Sequence, residues 1–241
     1  MTHLIAHRGY SAIAPENTLA SFQAALEQPI IGVEFDVHLS ADGVPVVIHD
    51  ATVERTTHGE GKIAAKTVKE LQSLDAGSWF DPRFSQETIP TLDAVLDLFS
   101  ASNVQLYIEL KYPQTWSPEG AKRLIRRLET WGERCTIISF DHKFIKQVRE
   151  EDSPCAIGYG IADPQQYNED YIRTLDLTNG VILPHFSLIL SSPKLTSTFV
   201  QKSLKIIPWT VDEIAIAEKL AHFNLNKIIS NTLLKKAVKP D

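Results

Sequence analysis

The chain has 241 residues, 43% of them hydrophobic, which suffices for a sizeable core and excludes a disordered polypeptide. With 24 basic against 30 acidic residues, and a net charge of −6, it lacks the broad basic surface of a nucleic-acid binder. An anionic small-molecule substrate stays compatible with that balance, because a bound cation or a few Arg and Lys side chains reverse the local sign. The cysteines Cys135 and Cys155 have no metal-ligand spacing and read as buried, reduced thiols. Met1 to His7 contain neither the basic nor the apolar stretch of a secretory leader. No apolar run approaches the roughly 20 residues that span a bilayer. A cytoplasmic enzyme without stable membrane association is therefore expected.

In chain order, Leu4-Ile5-Ala6 predicts a first strand, and Ala20 to Leu26 has helical spacing behind a cap at Asn17 or Thr18. Val33 to Leu39 and Val44 to Ile48 read as strands. Residues 51–90 are less regular, rich in Thr, Gly and Asp, and look like an insertion. A helix over Thr91 to Phe99, a strand over Val104 to Leu110 and a helix over Pro118 to Trp131 follow. The alternation then continues with strands over 135–139, 155–159, 180–183, 204–208 and 227–230. The intervening helices fall over 141–150, 164–175, 193–201 and 211–222, with a short last one over 231–238. About eight strand–helix units in a chain of this length predict a parallel α/β sheet closed as a (β/α)8 barrel, with an open doubly wound sheet as the rival. No G-x-G-x-x-G follows a strand, so dinucleotide binding has no support.

Alternate residues of a strand share a face. In Gly32 to Leu39, Val33, Phe35, Val37 and Leu39 fall on one side and Glu34, Asp36 and His38 on the other. Two acids pointing the same way from a strand covered by helices are costly unless a cation joins them, and carboxylates suit Mg²⁺ or Ca²⁺. Tyr107, Glu109 and Lys111 repeat the design opposite Leu106, Ile108 and Leu110, so Glu109 is a third candidate ligand and Lys111 a charge for a phosphate. His7-Arg8-Gly9 closes the first strand, and His49-Asp50 closes the strand that follows Asp42-Gly43. Histidine transfers protons near neutral pH, and Arg8 can grip phosphate oxygens in a forked geometry. His3, His38, His58, His142, His185 and His222 lack that context, with His38 a weak supporting candidate. Phe140 and Trp209 end later strands and can wall a pocket; Trp209 reads equally as a core tryptophan.

Together these residues resemble the glycerophosphodiester phosphodiesterase family of TIM barrels. The strings that carry the resemblance run along nearly the whole chain: His7-Arg8-Gly9, Ala14-Pro15-Glu16-Asn17-Thr18, Glu34-Phe35-Asp36-Val37, Val46-Val47-Ile48-His49-Asp50, Arg55-Thr56-Thr57, Asp75-Ala76-Gly77-Ser78-Trp79-Phe80, Ile108-Glu109-Leu110-Lys111 and Trp209-Thr210-Val211. The resemblance implies one domain over residues 1–241, a (β/α)8 TIM barrel with residues 51–90 as a small insertion beside its mouth. It implies hydrolysis of small glycerophosphodiesters to glycerol 3-phosphate and an alcohol. His7 and His49 would be general acid and base, in an order the residues leave open. Glu34, Asp36 and Glu109 would hold one divalent cation (Mg²⁺, Ca²⁺ or Mn²⁺), and Arg8 and Lys111 would contact the phosphate. The nucleophile would be water, or the glycerol 2-hydroxyl forming a cyclic intermediate. Ala12-Ile13 and Ser230-Asn231 depart from the family's common Gly-aromatic and Thr-Asp pairs. The rivals are a lysophospholipase D, for which Leu188-Ile189-Leu190 is the one apolar rim candidate or else core, and a catalytically inactive binding or structural protein on the same barrel.

Overall fold

The computed structural model describes residues 2–111, 116–151 and 154–234. Its strands are β1 (His3–His7), β2 (Gly32–Leu39), β3 (Pro45–Val47), β4 (Gln105–Leu110), β5 (Cys135–Ser139), β6 (Ala156–Ile161), β7 (Gly180–Pro184) and β8 (Lys227–Ser230). They form one sheet in the order β7-β6-β5-β4-β2-β1-β8, parallel throughout except for β3, which folds back antiparallel on the end of β2. The gap between β7 and β8 is filled by the predicted strand over 204–208. Ile207 N donates to Ile182 O, Trp209 N to Pro184 O and Ile229 N to Pro208 O, so this segment is the eighth stave and the barrel closes. It pairs with β7 only through the isolated bridges Ile182–Ile206 and His185–Trp209. Pro208 has no N–H to extend a ladder there.

The helices are α1 (Leu19–Leu26), α2 (Val68–Gln72), α3 (Leu92–Phe99), α4 (Pro118–Leu128), α5 (His142–Glu150), α6 (Glu169–Ile172), α7 (Phe186–Ser191), α8 (Pro193–Gln201) and α9 (Ile214–Ala221). Side-chain caps start several of them: Thr18 accepts from Ser21 N, Thr91 from Ala94 N and Asp141 from Phe144 N. Each such cap is worth about 1 kcal/mol. Outward residues of the strands meet these helices in the main core, where Phe22 packs edge-on against Phe35 and Phe99. A second apolar cluster fills the barrel itself, with Ile5, Tyr107, Ile138, Leu183, Ile207 and Ile229 from different staves. Residues 51–90 form the expected excursion and have their own cluster, in which Val53, Ile63, Leu71 and Ile89 pack beneath Val46 and Ile48.

Three elements differ from expectation. The helix predicted over 164–175 is broken into a 3₁₀ turn, Pro164–Gln166, and α6. Tyr167 leaves the helical region and Asn168 starts a new helix by accepting from Tyr171 N. The helix predicted through Trp131 ends as α-helix at Leu128 and continues in 3₁₀ turns, with Gly132 at φ 48. Of the two alternatives for Leu188-Ile189-Leu190, the core one holds: the segment is part of α7 rather than a rim loop, and Leu188 and Ile189 are buried. Of the last predicted helix, residues 231–234 form turns and the rest lies outside the described residues. Among the described residues, no helix is long and apolar enough to cross a membrane.

Candidate active site

Strand register assembles the site. His7 is level with Glu34 across β1 and β2, and Asp36 is level with Glu109 across β2 and β4. On β2, Val33, Phe35 and Val37 pack into the helix layer, so Glu34, Asp36 and His38 turn into the barrel and are buried there. On β4, Leu106, Ile108 and Leu110 face outward, and Glu109 is buried on the inner side.

Glu34, Asp36 and Glu109 each offer a carboxylate oxygen within 4.8 Å of the others. Lys111 Nζ stands 2.6 Å from Glu109 Oε1 and 3.1 Å from Asp36 Oδ1, and Arg8 Nε stands 3.3 Å from Asp36 Oδ2. Burial pushes the Asp36 carboxyl up, but Lys111 and Arg8 outweigh it and hold the group below the usual carboxylate range. Burial, with Asp36 and Glu109 adding repulsion, pushes Glu34 well up. Burial likewise pushes Glu109 up to about 7. Two side-chain cations thus leave three buried acids under-compensated. Asp36 Oδ1 is buried and makes no well-formed hydrogen bond even with Lys111 close by. An oxygen-only cluster with excess negative charge and an unused lone pair suits a hard divalent cation. Asn17, at φ 58, supports the cluster from below: its Nδ2 donates to Asp36 Oδ2 at 2.8 Å.

Arg8 and Gly9 both have left-handed backbones, with φ 56 and 81. The turn they make ends β1, and a Cβ at Gly9 would collide with Ser21. Arg8 N donates to Glu34 O, which fixes the turn over β2. From there a chain of ion pairs crosses the mouth. Arg8 Nη1 and Arg55 Nη2 both donate to Glu16 Oε1 at 2.8 Å; Arg55 Nε donates to Asp50 Oδ2 at 2.6 Å; Asp50 Oδ1 accepts from His49 Nδ1 at 2.6 Å. The insertion thereby contributes Arg55 to the support of His49. His38 Nε2 donates to His49 O at 3.0 Å and steadies the same segment.

His7 faces the cluster from the other side, with Nε2 3.7 Å from Glu34 Oε2 and Nδ1 2.6 Å from Asn231 Oδ1. Burial and the Arg8 charge lower its pKa to about 4. Burial also lowers His49, against the pull of Asp36.

One cavity is lined by His7, Arg8, Glu34, His49, Glu109 and Lys111, with Phe140 and Trp209 on its apolar side. Asp36 lies buried behind them. All nine residues singled out in the sequence are therefore brought to one place, at the C-terminal ends of the strands. The Trp209 ring does both things its sequence position allowed: Nε1 is anchored on Leu183 O at 2.6 Å, and the ring packs edge-to-face on Phe140 at the cavity wall. Gly160 makes room for Phe140, since a Cβ there would lie 2.7 Å from its ring.

Sequence reasoning gave no role in the site to Glu16, Asp50, Arg55, Asp212 or Asn231, and it offered Asn17 only as a helix cap, a place that Thr18 takes. Asp50 carried a readable signal, a carboxylate beside a histidine. The others are loop residues whose contacts depend on tertiary placement. Among the remaining histidines, His142 bonds Tyr171 and Gly160 O, and His222 bonds Glu218 O.

Residues 7–235 match the profile of the Glycerophosphoryl diester phosphodiesterase family. A glycerophosphodiester phosphodiesterase of Caldanaerobacter subterraneus subsp. tengcongensis is 34% identical over 236 residues, covering 95% of this chain and 94% of that protein. Among solved structures, an Oleispira antarctica phosphodiesterase in complex with the product sn-glycerol-3-phosphate superposes with a TM-score of 0.81 at 30% identity, covering 96% and 94% of the two chains. A glycerophosphodiester phosphodiesterase of Agrobacterium tumefaciens does so with a TM-score of 0.79 at 30% identity, covering 97% and 99%.

Proposed function

This chain belongs to the glycerophosphoryl diester phosphodiesterase family, and from that premise we propose that it hydrolyses small glycerophosphodiesters to glycerol 3-phosphate and an alcohol, using one divalent cation and two histidines. The carrying observation is the convergence of His7, His49, Arg8, Lys111 and a buried carboxylate triad on one cavity at the strand C-termini. The product held by the Oleispira antarctica relative supports glycerol 3-phosphate as the product here.

Glu34, Asp36 and Glu109 would hold Mg²⁺, Ca²⁺ or Mn²⁺, which when bound supplies positive charge against the non-bridging oxygens of the diester. Arg8 and Lys111 add fixed charge at the same place, where exclusion of water strengthens it. One histidine takes the proton of the attacking hydroxyl, from water or from the glycerol 2-position. The other protonates the alcohol oxygen as its bond to phosphorus breaks. Such acid–base catalysis contributes roughly 10²–10⁴ in rate. Phe140 and Trp209 offer the glycerol carbons an apolar wall. We read residues 1–241 as a single domain, which the continuity of the main core from Ala6 to Leu233 supports.

The test is release of glycerol 3-phosphate from glycerophosphocholine, compared with lysophosphatidic acid release from lysophosphatidylcholine. Faster turnover of the water-soluble diester is expected. Cleavage of the lysolipid alone would replace this reading with a lysophospholipase D, and cleavage of neither would leave a binding protein.

A further inference from the structure

The His7 ring is held from the far end of the chain. Its Nδ1 lies 2.6 Å from Asn231 Oδ1, just beyond β8. An amide has one accepting and one donating end, and which end faces the imidazole decides where the imidazole carries its hydrogen. The surroundings of Asn231 settle that choice. The opposite end of its amide lies 2.7 Å from Asp212 Oδ2. A carboxylate only accepts, so the NH2 group faces Asp212 and the carbonyl faces His7. Asp212 is itself unable to turn away. Its Oδ1 accepts from Asn231 N at 2.7 Å, Thr232 N at 3.1 Å and Ser230 Oγ at 3.0 Å.

A carbonyl facing Nδ1 requires a hydrogen there. The neutral ring then keeps its lone pair on Nε2, the nitrogen on the Glu34 side. We infer that Asp212 and Asn231 are a positioning pair that locks His7 in the Nδ1–H tautomer and presents its Nε2 lone pair to the cavity. Neither residue lines the cavity, so the pair acts on it through the ring; Asn231 Oδ1 also lies 3.0 Å from Ser11 Oγ, a hydroxyl that can donate to it as well as to His7 O. Its catalytic consequence rests on the reading of His7 as a proton-transfer group. His49 is held differently, by the adjacent carboxylate of Asp50.

The isosteric change Asp212→Asn tests the logic. To keep accepting from the Asn231 and Thr232 amides, the new side chain leaves its oxygen in place and turns its NH2 toward Asn231. Two NH2 groups would then oppose each other, so the Asn231 amide turns over and offers its NH2 to His7. Nδ1 becomes the acceptor and the hydrogen moves to Nε2. The double variant Asp212→Asn with Asn231→Asp restores the sequence of donors and acceptors: the new amide donates, and the new carboxylate accepts from Nδ1–H.

The measurement is the ¹⁵N spectrum of the His7 imidazole, assigned with His7→Gln and recorded above the usual imidazole titration range, together with kcat and KM on glycerophosphocholine. Nδ1–H is expected in the native protein and Nε2–H in Asp212→Asn. The single variant is expected to lose roughly 10²–10⁴ in kcat, with KM much less affected. The double variant is expected to return to Nδ1–H and to recover most of kcat, which a folding defect would not allow. Persistence of Nδ1–H in Asp212→Asn, or of Nε2–H in the double variant, would overturn the proposal. A tautomer switch with kcat unchanged would uphold the pair and instead remove His7 from proton transfer.

Discussion

Asp36 and Glu109 are register partners across β2 and β4, and Lys111 Nζ reaches both, at 3.1 and 2.6 Å. With Glu34 alongside, the barrel concentrates three acids where water cannot screen them. The native fold carries that repulsion as a cost, and a bound cation would turn it into a source of affinity.

Glu34→Gln is expected to weaken cation binding by at least about tenfold. It is also expected to leave the EDTA-treated protein about as stable as before, because the amide replaces a buried carboxyl that burial already holds toward its neutral form and keeps the shape. Calorimetric titration with Mg²⁺ and thermal melting in EDTA check the two parts. Unchanged cation affinity would remove Glu34 from the ligand set.

Cation binding is expected to be linked to protons. Burial raises Glu34 well above its ordinary range and Glu109 to about 7, so in the cation-free protein these groups hold protons that a cation must displace. Affinity should therefore fall as pH drops through 7 and below. The contribution of these two carboxyls to stability has the opposite sign: they bind more protons in the folded, cation-free state than in the unfolded chain, so the stability they add is lost as pH rises from about 4.3 toward 7, and it reads out as the difference between the native protein and Glu109→Gln, because His7, lowered to about 4, works in the other direction over the same window. Titration and melting curves across that window test both, and a pH-independent affinity would contradict the assignment.

His49→Ala should lower kcat by roughly 10²–10⁴. Asp50→Asn keeps the shape but weakens the hold on Nδ1 of His49, and a smaller loss, about tenfold, is expected. Steady-state kinetics of the two variants decide the matter; full activity in His49→Ala would exclude that residue from the mechanism.

Gly160→Ala places a methyl 2.7 Å from the Phe140 ring, which lines the cavity and must shift to make room. KM for glycerophosphocholine is expected to rise several-fold, about 1 kcal/mol of lost binding, with kcat little changed. An unaltered KM would show that Phe140 does not wall the bound substrate.

The strand–helix alternation and the inward-facing acids were legible from local rules because strand period and residue type coincide in β2 and β4: the apolar faces of Val33, Phe35, Ile108 and Leu110 turn Glu34, Asp36 and Glu109 inward, while the choice between a closed barrel and an open doubly wound sheet came from the family resemblance. What local rules do not contain is register and closure. Nothing in the sequence places Asp36 level with Glu109, or lets the stave around Pro208 join β7 to β8 without a ladder. The break at Tyr167 was hidden because residues 164–175 keep helical spacing across two separately capped turns. The Asp212–Asn231 contact with His7 joins residues over two hundred positions apart, and no periodicity reports it.

The most direct test of the central claim is the rate of glycerol 3-phosphate release by protein stripped with EDTA, measured again after adding Mg²⁺, Ca²⁺ or Mn²⁺, with Asp36→Asn in parallel. Activity that disappears on stripping, returns with a cation and does not return in Asp36→Asn is the predicted result. Full activity in the stripped protein, or equal reactivation of Asp36→Asn, would contradict a cation held by Glu34, Asp36 and Glu109.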